Sequence, residues 1–336
     1  MNPVHVLSTV RFNDEQLAHL RAVSSRLRLV QHTVREAEEL PPDVWSDVEV
    51  LCTFQALPDP AQALHLRWVQ LMSAGADHAI DHPVFTDQVI LTTTSGIHAI
   101  NIGELVLTMI LAWGQRLPAL MEYQRRAEWP AGRFELFAPQ ELRGATVGIV
   151  GYGSIGREVG RLASAFGMRV LAFKRSGDSV DRGYTIPGVG DPQGTVPQRF
   201  YRLGQLRQML IECDYVVLAV PLTAATRHLI GPEELRAMKP SAFLINVARG
   251  DVVDEPALIQ ALQEGWIAGA GLDVFAQEPL PADSSLWGLE NVILSPHIAG
   301  FTPHYNDRAA DVFAKNLRRY LAGKPLLNQV DPEQGY

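Results

Sequence analysis

Short apolar runs alternate with amphipathic stretches along most of the chain. In the first hundred residues Val4–Val10, Val48–Phe54, Arg67–Ser73 and Val89–Thr94 read as strands, each bounded by Pro, Asp or Gly. Asp14–Ser25 reads as a helix with Leu17, Ala18 and Leu20 on one face. Strands separated by helices imply a parallel sheet covered on both sides. Ile100 to about Arg126 carries the longest helical pattern, and the run Leu105–Leu111 is apolar enough to be buried against more than one element. After a polar loop around Trp129–Arg143 the alternation resumes. Thr146–Val150, Arg169–Phe173, Tyr215–Ala219, Ala242–Asn246, Ile267–Gly271 and Val292–Leu294 read as strands, with helices such as Pro232–Met238 and Asp254–Glu264 between them. Six strands with helical crossovers make a doubly wound α/β domain. A helix over Tyr305–Leu321 closes the pattern.

Composition narrows the class. A chain of 336 residues, 47% hydrophobic and 20% charged, fits two ordinary domains with ample core. Its net charge of -8 is spread without blocks, which argues against a nucleic-acid or anionic-membrane surface. Cys52 and Cys213 stand far apart and lack metal spacing, so neither a disulfide framework nor a zinc cluster is expected. The opening MNPVHVLSTV has no cationic stretch followed by an apolar one, and no apolar run reaches the ~18 residues of a membrane span. A soluble cytoplasmic protein is the expectation.

The most informative local signal is Gly151-x-Gly153-x-x-Gly156, which follows the strand Val147–Val150 and opens a helix. That helix is expected to bury Val159, Leu162, Ala163 and Phe166. Gly151 permits a tight turn, Gly153 lets backbone approach a pyrophosphate, and Gly156 allows helix to pack closely on strand. The N–H groups of Ser154 and Ile155 then face the phosphates. The next strand ends in Lys174-Arg175-Ser176, where an NAD-binding unit usually has an acid for the ribose 2′-hydroxyl. Cations and a hydroxyl suit a 2′-phosphate, so NADP is the preferred cofactor, with NAD the alternative.

Arg249 and Asp273 follow predicted strand ends and His297 follows the last strand, on the side where an open α/β sheet binds ligands. Reduction of a 2-oxo acid needs a hydride donor, a proton donor and a cation for the carboxylate. Imidazole exchanges protons near neutral pH, which suits His297 as proton donor. Glu278 within reach would orient that ring, and Arg249 would clamp a carboxylate and polarise a carbonyl.

With the stretches SAGADHAI, GYGSIG, AVPLTAATRHLIGPEELRAMKP, LINVARGDVVDEPAL, GAGLDVFAQEPLP and SPHIAG, the chain resembles the D-isomer-specific 2-hydroxyacid dehydrogenase family. The resemblance implies a Rossmann-like dinucleotide-binding domain, residues 102–301, inserted into a flavodoxin-like substrate domain made of residues 1–101 and 302–336. It also implies an active site between them and a homodimer joined through the cofactor domains. The family's catalytic Arg, Glu and His fall on Arg249, Glu278 and His297, and its carboxylate-binding loop on Ala74 and Gly75. Cofactor positions fall on Ser154, Ile155, Pro221, Thr226, Val247, Asp273 and Gly300, with Asp273 expected to meet the nicotinamide amide. Lys174-Arg175-Ser176 resembles the family's NADP-dependent glyoxylate and hydroxypyruvate reductases. Relatives on the same scaffold oxidise phosphoglycerate, formate or phosphite, and others are dinucleotide-sensing corepressors.

Three features lie outside the family pattern. The Gly- and Pro-rich segment 177–202 is longer than the usual connection and is expected to be a surface excursion rather than a cap on the cofactor. Trp45, Cys52, Phe54, His304 and Tyr305 are candidates to line a substrate pocket. His78 and His98 are expected to be satisfied loop histidines, and no His, Asp or Glu set has metal spacing.

Overall fold

Buried β-branched and leucine-rich strands need cover on both faces, and they form two separate parallel sheets with helices between their strands. The computed structural model describes residues 2–86, 88–175, 180–181 and 183–331. It divides into two units, one of Met1–Ile97, Arg182–Ile186 and Thr302–Tyr336, the other of His98–Asp181 and Pro187–Phe301.

In the first unit β1 (Val4–Ser8) leads to α1 (Asp14–Arg21), which starts at a reciprocal cap between Asn13 and Gln16. The strands β2 (Leu27–Gln31), β3 (Val50–Thr53), β4 (Trp68–Leu71) and β5 (Ile90–Thr92) follow. All pair in parallel in the order β2-β1-β3-β4-β5, the flavodoxin-like arrangement. The hydrophobic pattern passes over β2, an edge strand in which only Leu27 and Leu29 are buried. Trp45 and Cys52 lie in the core of this unit, so neither lines a pocket.

The second unit opens with α2 (Ala99–Gly114), α3 (Leu117–Arg125) and the short α4 (Arg133–Leu136). The single helix expected over Ile100–Arg126 is therefore two. Pro118 has no N–H to donate to the preceding turn, so the helix stops at Gln115 and Arg116 and restarts with the proline in its first turn. The sheet then runs through β6 (Thr146–Val150), α5 (Ser154–Ala165), β7 (Arg169–Phe173) and β8 (Arg199–Tyr201). It continues through α6 (Leu206–Leu210), β9 (Tyr215–Leu218), α7 (Pro232–Ala237) and β10 (Phe243–Asn246). The last elements are α8 (Glu255–Gln263), β11 (Gly269–Leu272) and β12 (Val292–Leu294). Seven parallel strands lie in the order β12-β11-β10-β9-β6-β7-β8, the Rossmann arrangement with one strand added.

Two expectations about this unit need correction. On α5, Val159 and Ala163 are buried, but Phe166 is 45% exposed because it caps the helix end. The segment 177–202 is not a plain surface excursion where it is described. It contributes β8 to the second sheet. Its Tyr184 is buried in the first unit, with its hydroxyl donating to Asp311 at 2.8 Å and its N–H to Asn328 Oδ1 at 2.9 Å. The chain ends its regular structure with α9 (Tyr305–Leu321), which buries Phe313 beside Trp68 in the first unit.

Candidate active site

Because all seven strands of the second unit are parallel, every loop leaving a strand's C-terminus lies along one edge. The glycine turn follows β6, Lys174 follows β7, Pro221–Thr226 follows β9, Val247–Arg249 follows β10, Asp273–Glu278 follows β11 and Ser295–Gly300 follows β12. Strand order reverses between β6 and β9, and such a reversal opens the ligand crevice of an open α/β sheet.

The glycine turn fits a pyrophosphate. Gly151 has φ +97°, and a Cβ there would lie 2.5 Å from the Ala219 carbonyl oxygen. A Cβ on Gly156 would lie 2.1 Å from the Gly151 carbonyl oxygen, so these two glycines are fixed by backbone approach. Gly153 differs: it is exposed, and a Cβ there would meet nothing within 4 Å. Its missing side chain leaves room in front of the N-terminus of α5, which begins at Ser154 with Ile155 next. Lys174 is half-buried, with its N–H on the Tyr201 carbonyl at 3.0 Å, and Arg175 is exposed. Ser176 lies outside the described residues. The loop after β9 is closed by Thr226, whose hydroxyl donates to the Pro221 carbonyl at 2.6 Å.

At the other end of the edge the expected proton donor and its carboxylate meet. His297 Nδ1 lies 2.6 Å from Glu278 Oε2, while Glu278 Oε1 accepts the Phe275 N–H at 3.0 Å. The second bond fixes the carboxylate, which in turn orients the ring through Nδ1. His297 adopts φ +52°, in the left-handed region. Asp273, 1% exposed, holds this turn: its carboxylate accepts the N–H groups of Ile298 and Ala299, both at 3.0 Å, and the Ser295 hydroxyl at 2.5 Å. Arg249 is half-buried at the end of a loop tied by Asn246, whose side chain donates to the Arg249 carbonyl and accepts the Ala248 N–H, each at 3.0 Å. A Cβ on the next residue, Gly250, would fall 1.9 Å from the Phe275 carbonyl carbon, so the arginine loop and the Glu278 loop are in direct backbone contact. Val247 is buried beneath this edge, and Gly300 packs against the His98 ring.

Sequence reasoning missed several supports. Asn101, on α2, donates to the carbonyls of Ala299 and Phe301, and nothing in its local pattern marks it. Asn246 and Ser295 sit inside recognised motifs, Asn246 bonded to the loop that carries Arg249 and Ser295 bonded to Asp273. In the first unit, Ala74 and Gly75 lie in the loop after β4, where the Ser73 hydroxyl donates to the Gly75 carbonyl at 2.7 Å. Phe54 and Tyr305 stand 6.2 Å apart between ring centroids, and the Phe54 carbonyl lies 2.9 Å from His78 Nε2. His304 is exposed. Among the described residues no group of three or more His, Cys, Asp or Glu side chains could hold a metal ion, and no helix is long and apolar enough to cross a membrane.

Residues 107–299 match the model of the D-isomer specific 2-hydroxyacid dehydrogenase NAD binding domain. A glyoxylate reductase of Korarchaeum cryptofilum is 38% identical over 288 residues, 85% of this chain and 80% of that protein. Among solved structures, the D-isomer specific 2-hydroxyacid dehydrogenase from Xanthobacter autotrophicus Py2, in complex with NADPH and MES, is 30% identical with a TM-score of 0.81 and full coverage of both chains. The NADPH-dependent glyoxylate/hydroxypyruvate reductase of Sinorhizobium meliloti, in complex with NADP and sulfate, is 25% identical with a TM-score of 0.80, covering 99% of this chain and 100% of that one. The chain belongs to the D-isomer specific 2-hydroxyacid dehydrogenase family. It is an NAD(P)-dependent oxidoreductase of 2-hydroxy and 2-oxo acids.

Proposed function

We propose that this protein reduces a small 2-oxo acid of the glyoxylate or hydroxypyruvate type, with NADPH preferred over NADH. The observation that carries the reading is the 2.6 Å contact between His297 and Glu278 on the strand edge that also holds the glycine turn. When bound, the reduced nicotinamide supplies the hydride. Glu278 keeps the His297 ring oriented, and His297 Nε2 donates the proton to the carbonyl oxygen as the C–H bond forms. Arg249 pairs with the substrate carboxylate and meets the charge that gathers on the oxygen. We assign the Ala74 and Gly75 amides to the same carboxylate on the family pattern. Asp273 keeps the His297 turn in place, and its assignment to the nicotinamide amide likewise rests on the family pattern.

The cofactor preference rests on Lys174 and Arg175, which follow β7 at the position where an NAD-binding unit usually has an acid. It is supported by the NADPH and NADP of the Xanthobacter and Sinorhizobium structures. The small substrate is supported by the glyoxylate reductases among the relatives.

We further propose a homodimer joined through α3 and α4. Leu120, Met121, Trp129 and Phe134 are all 40% or more exposed there, and Leu120, Trp129 and Phe134 line an apolar groove of about 640 Å³ with Tyr123 and Phe137. A patch of this kind on a free protomer marks an interface. Sedimentation velocity would report a single species of twice the chain mass. Both cysteines are buried free thiols, which fits a reducing compartment such as the cytoplasm.

Oxidation of NADPH and NADH, measured with glyoxylate, hydroxypyruvate, pyruvate and phenylpyruvate, tests the reading. Turnover of glyoxylate and hydroxypyruvate with NADPH favoured is expected. Turnover favouring NADH would keep the reaction and overturn the cofactor preference. Dinucleotide binding without turnover of any acid would overturn the reductase reading in favour of a sensing scaffold.

A further inference from the structure

Tyr152 is the middle residue of the Gly151–Gly153 turn and is 1% exposed, so no ligand can reach its side chain. Its ring is boxed in. A Cβ on Gly160 would lie 2.9 Å from the Tyr152 hydroxyl oxygen, so α5 is notched to admit the ring. Phe200 of β8 stands edge-on at 5.6 Å, and the Arg157 guanidinium carbon lies 5.1 Å from the ring centroid. The hydroxyl donates to Asp191 Oδ2 at 2.9 Å. Asp191 is itself 5% exposed and accepts three further hydrogen bonds, from the N–H groups of Thr195 and Val196 at 2.9 Å and from the Thr195 hydroxyl at 3.2 Å.

Two neighbours of the turn reach the same place. Arg157, the residue after Gly156, is 2% exposed; it donates to the Asp191 carbonyl and lies 3.5 Å from Asp181. A cation in the first turn of this helix would ordinarily favour an anion in front of it. Here it faces the downstream segment instead. Glu158, 3% exposed, accepts the Gly190 N–H at 2.6 Å and is held on both oxygens by Arg161 at 2.8 and 2.6 Å. Three side chains within seven residues of the cradle therefore converge on Gly190 and Asp191. Apolar packing would secure a plain connection at lower desolvation cost, whereas a network of buried charges fixes distance and direction.

We propose that Asp191 is a positioning residue of the dinucleotide cradle: by holding the Tyr152 hydroxyl it sets the Gly151–Gly153 turn, and the segment from Pro187 to Val196 is a brace behind the cofactor site. The proposal rests on the reading of Gly151–Gly156 as that cradle. Coupling of this kind is reciprocal, so whatever the brace does for dinucleotide affinity, dinucleotide binding does for the brace.

Tyr152→Phe keeps the ring and removes only the hydroxyl. The expected result is a dissociation constant for NADPH raised roughly five- to tenfold, part of the full worth of one hydrogen bond to a charged acceptor. KM for NADPH rises in step while kcat changes much less. In the unmodified protein NADPH slows hydrogen exchange at the Thr195 and Val196 amides, and Tyr152→Phe removes that protection. Asp191→Ala weakens binding further, and Asp191→Asn, which keeps an oxygen for Tyr152, recovers part of it. A bond that served stability alone would lower the melting temperature and leave the dissociation constant in place; that result, with exchange at 195 and 196 indifferent to NADPH, overturns the proposal. Failure of the unmodified protein to bind either dinucleotide would instead overturn the cradle reading beneath it.

Discussion

At the β10–β12 end of the second sheet, each side chain proposed to react is held by a partner that also lies in a short recognisable stretch: His297 by Glu278, the His297 turn by Asp273, the Arg249 loop by Asn246. At the β6–β8 end the glycine turn is held by Asp191, 39 residues downstream of Tyr152, in a segment with no motif at all. The contrast follows from what each end must do. Proton transfer needs particular groups at both ends of a hydrogen bond, so both are written into the chain. A backbone turn needs only to be kept in shape, and many arrangements of donors and acceptors achieve that.

The largest expected effect lies at the β10–β12 end. His297→Ala is expected to lower kcat by about 10²- to 10⁴-fold, the usual worth of a positioned general acid. The dissociation constant for NADPH, measured by fluorescence, should hardly move. Unchanged turnover would remove His297 as the proton donor and with it the claim that this end carries the chemistry. A smaller effect is expected from Lys174→Asp combined with Arg175→Ala, which should shift the NADPH/NADH ratio of kcat/KM by roughly 10- to 100-fold toward NADH, the scale of one charge-assisted contact. An unaltered ratio would place cofactor selection elsewhere.

The gentlest test concerns acid. Burial pushes the Asp191 carboxyl up, but hydrogen bonds from the Val196 and Thr195 amides, then from the Tyr152 and Thr195 hydroxyls, outweigh it and hold the group below the ordinary aspartate range. A carboxyl lowered by folding adds stability that is complete above the unfolded value of about 4 and is lost as pH falls through the lower folded value. The melting temperature of Asp191→Asn should therefore lie below that of the unmodified protein at neutral pH. The two should converge as the pH drops below about 4. A gap that stays constant with pH would show that the charge of Asp191 contributes nothing.

The two-sheet α/β architecture was legible because period-two and period-3.6 patterns and glycine spacing are local features, and of the strand-end polar candidates His297 and Glu278 lie within hydrogen-bond distance of each other. The sequence misled where a single local break or a distant partner outweighs the pattern. Pro118 splits a helix whose hydrophobic pattern runs straight through it. β2 and β8 are edge strands, with too few buried positions to announce themselves. Segment 177–202 looked like a connection because its purpose lies in Tyr152, Arg157 and Glu158, none of which advertises a partner. Trp45 and Cys52 looked like pocket residues because aromatic and thiol side chains serve cores and sites alike, and burial alone separates the two.

The left-handed conformation of His297 carries a consequence for how this enzyme can change. A non-glycine residue at φ +52° sits about 1 kcal/mol or more above its relaxed state, and the bonds from Ile298 and Ala299 to Asp273 keep it there. Glycine at this position would escape that strain, and asparagine would tolerate it better than most residues. With His297 as the proposed proton donor, position 297 is a place where stability and turnover pull in opposite directions. A lineage released from selection for catalysis would drift there toward a quieter and sturdier protein.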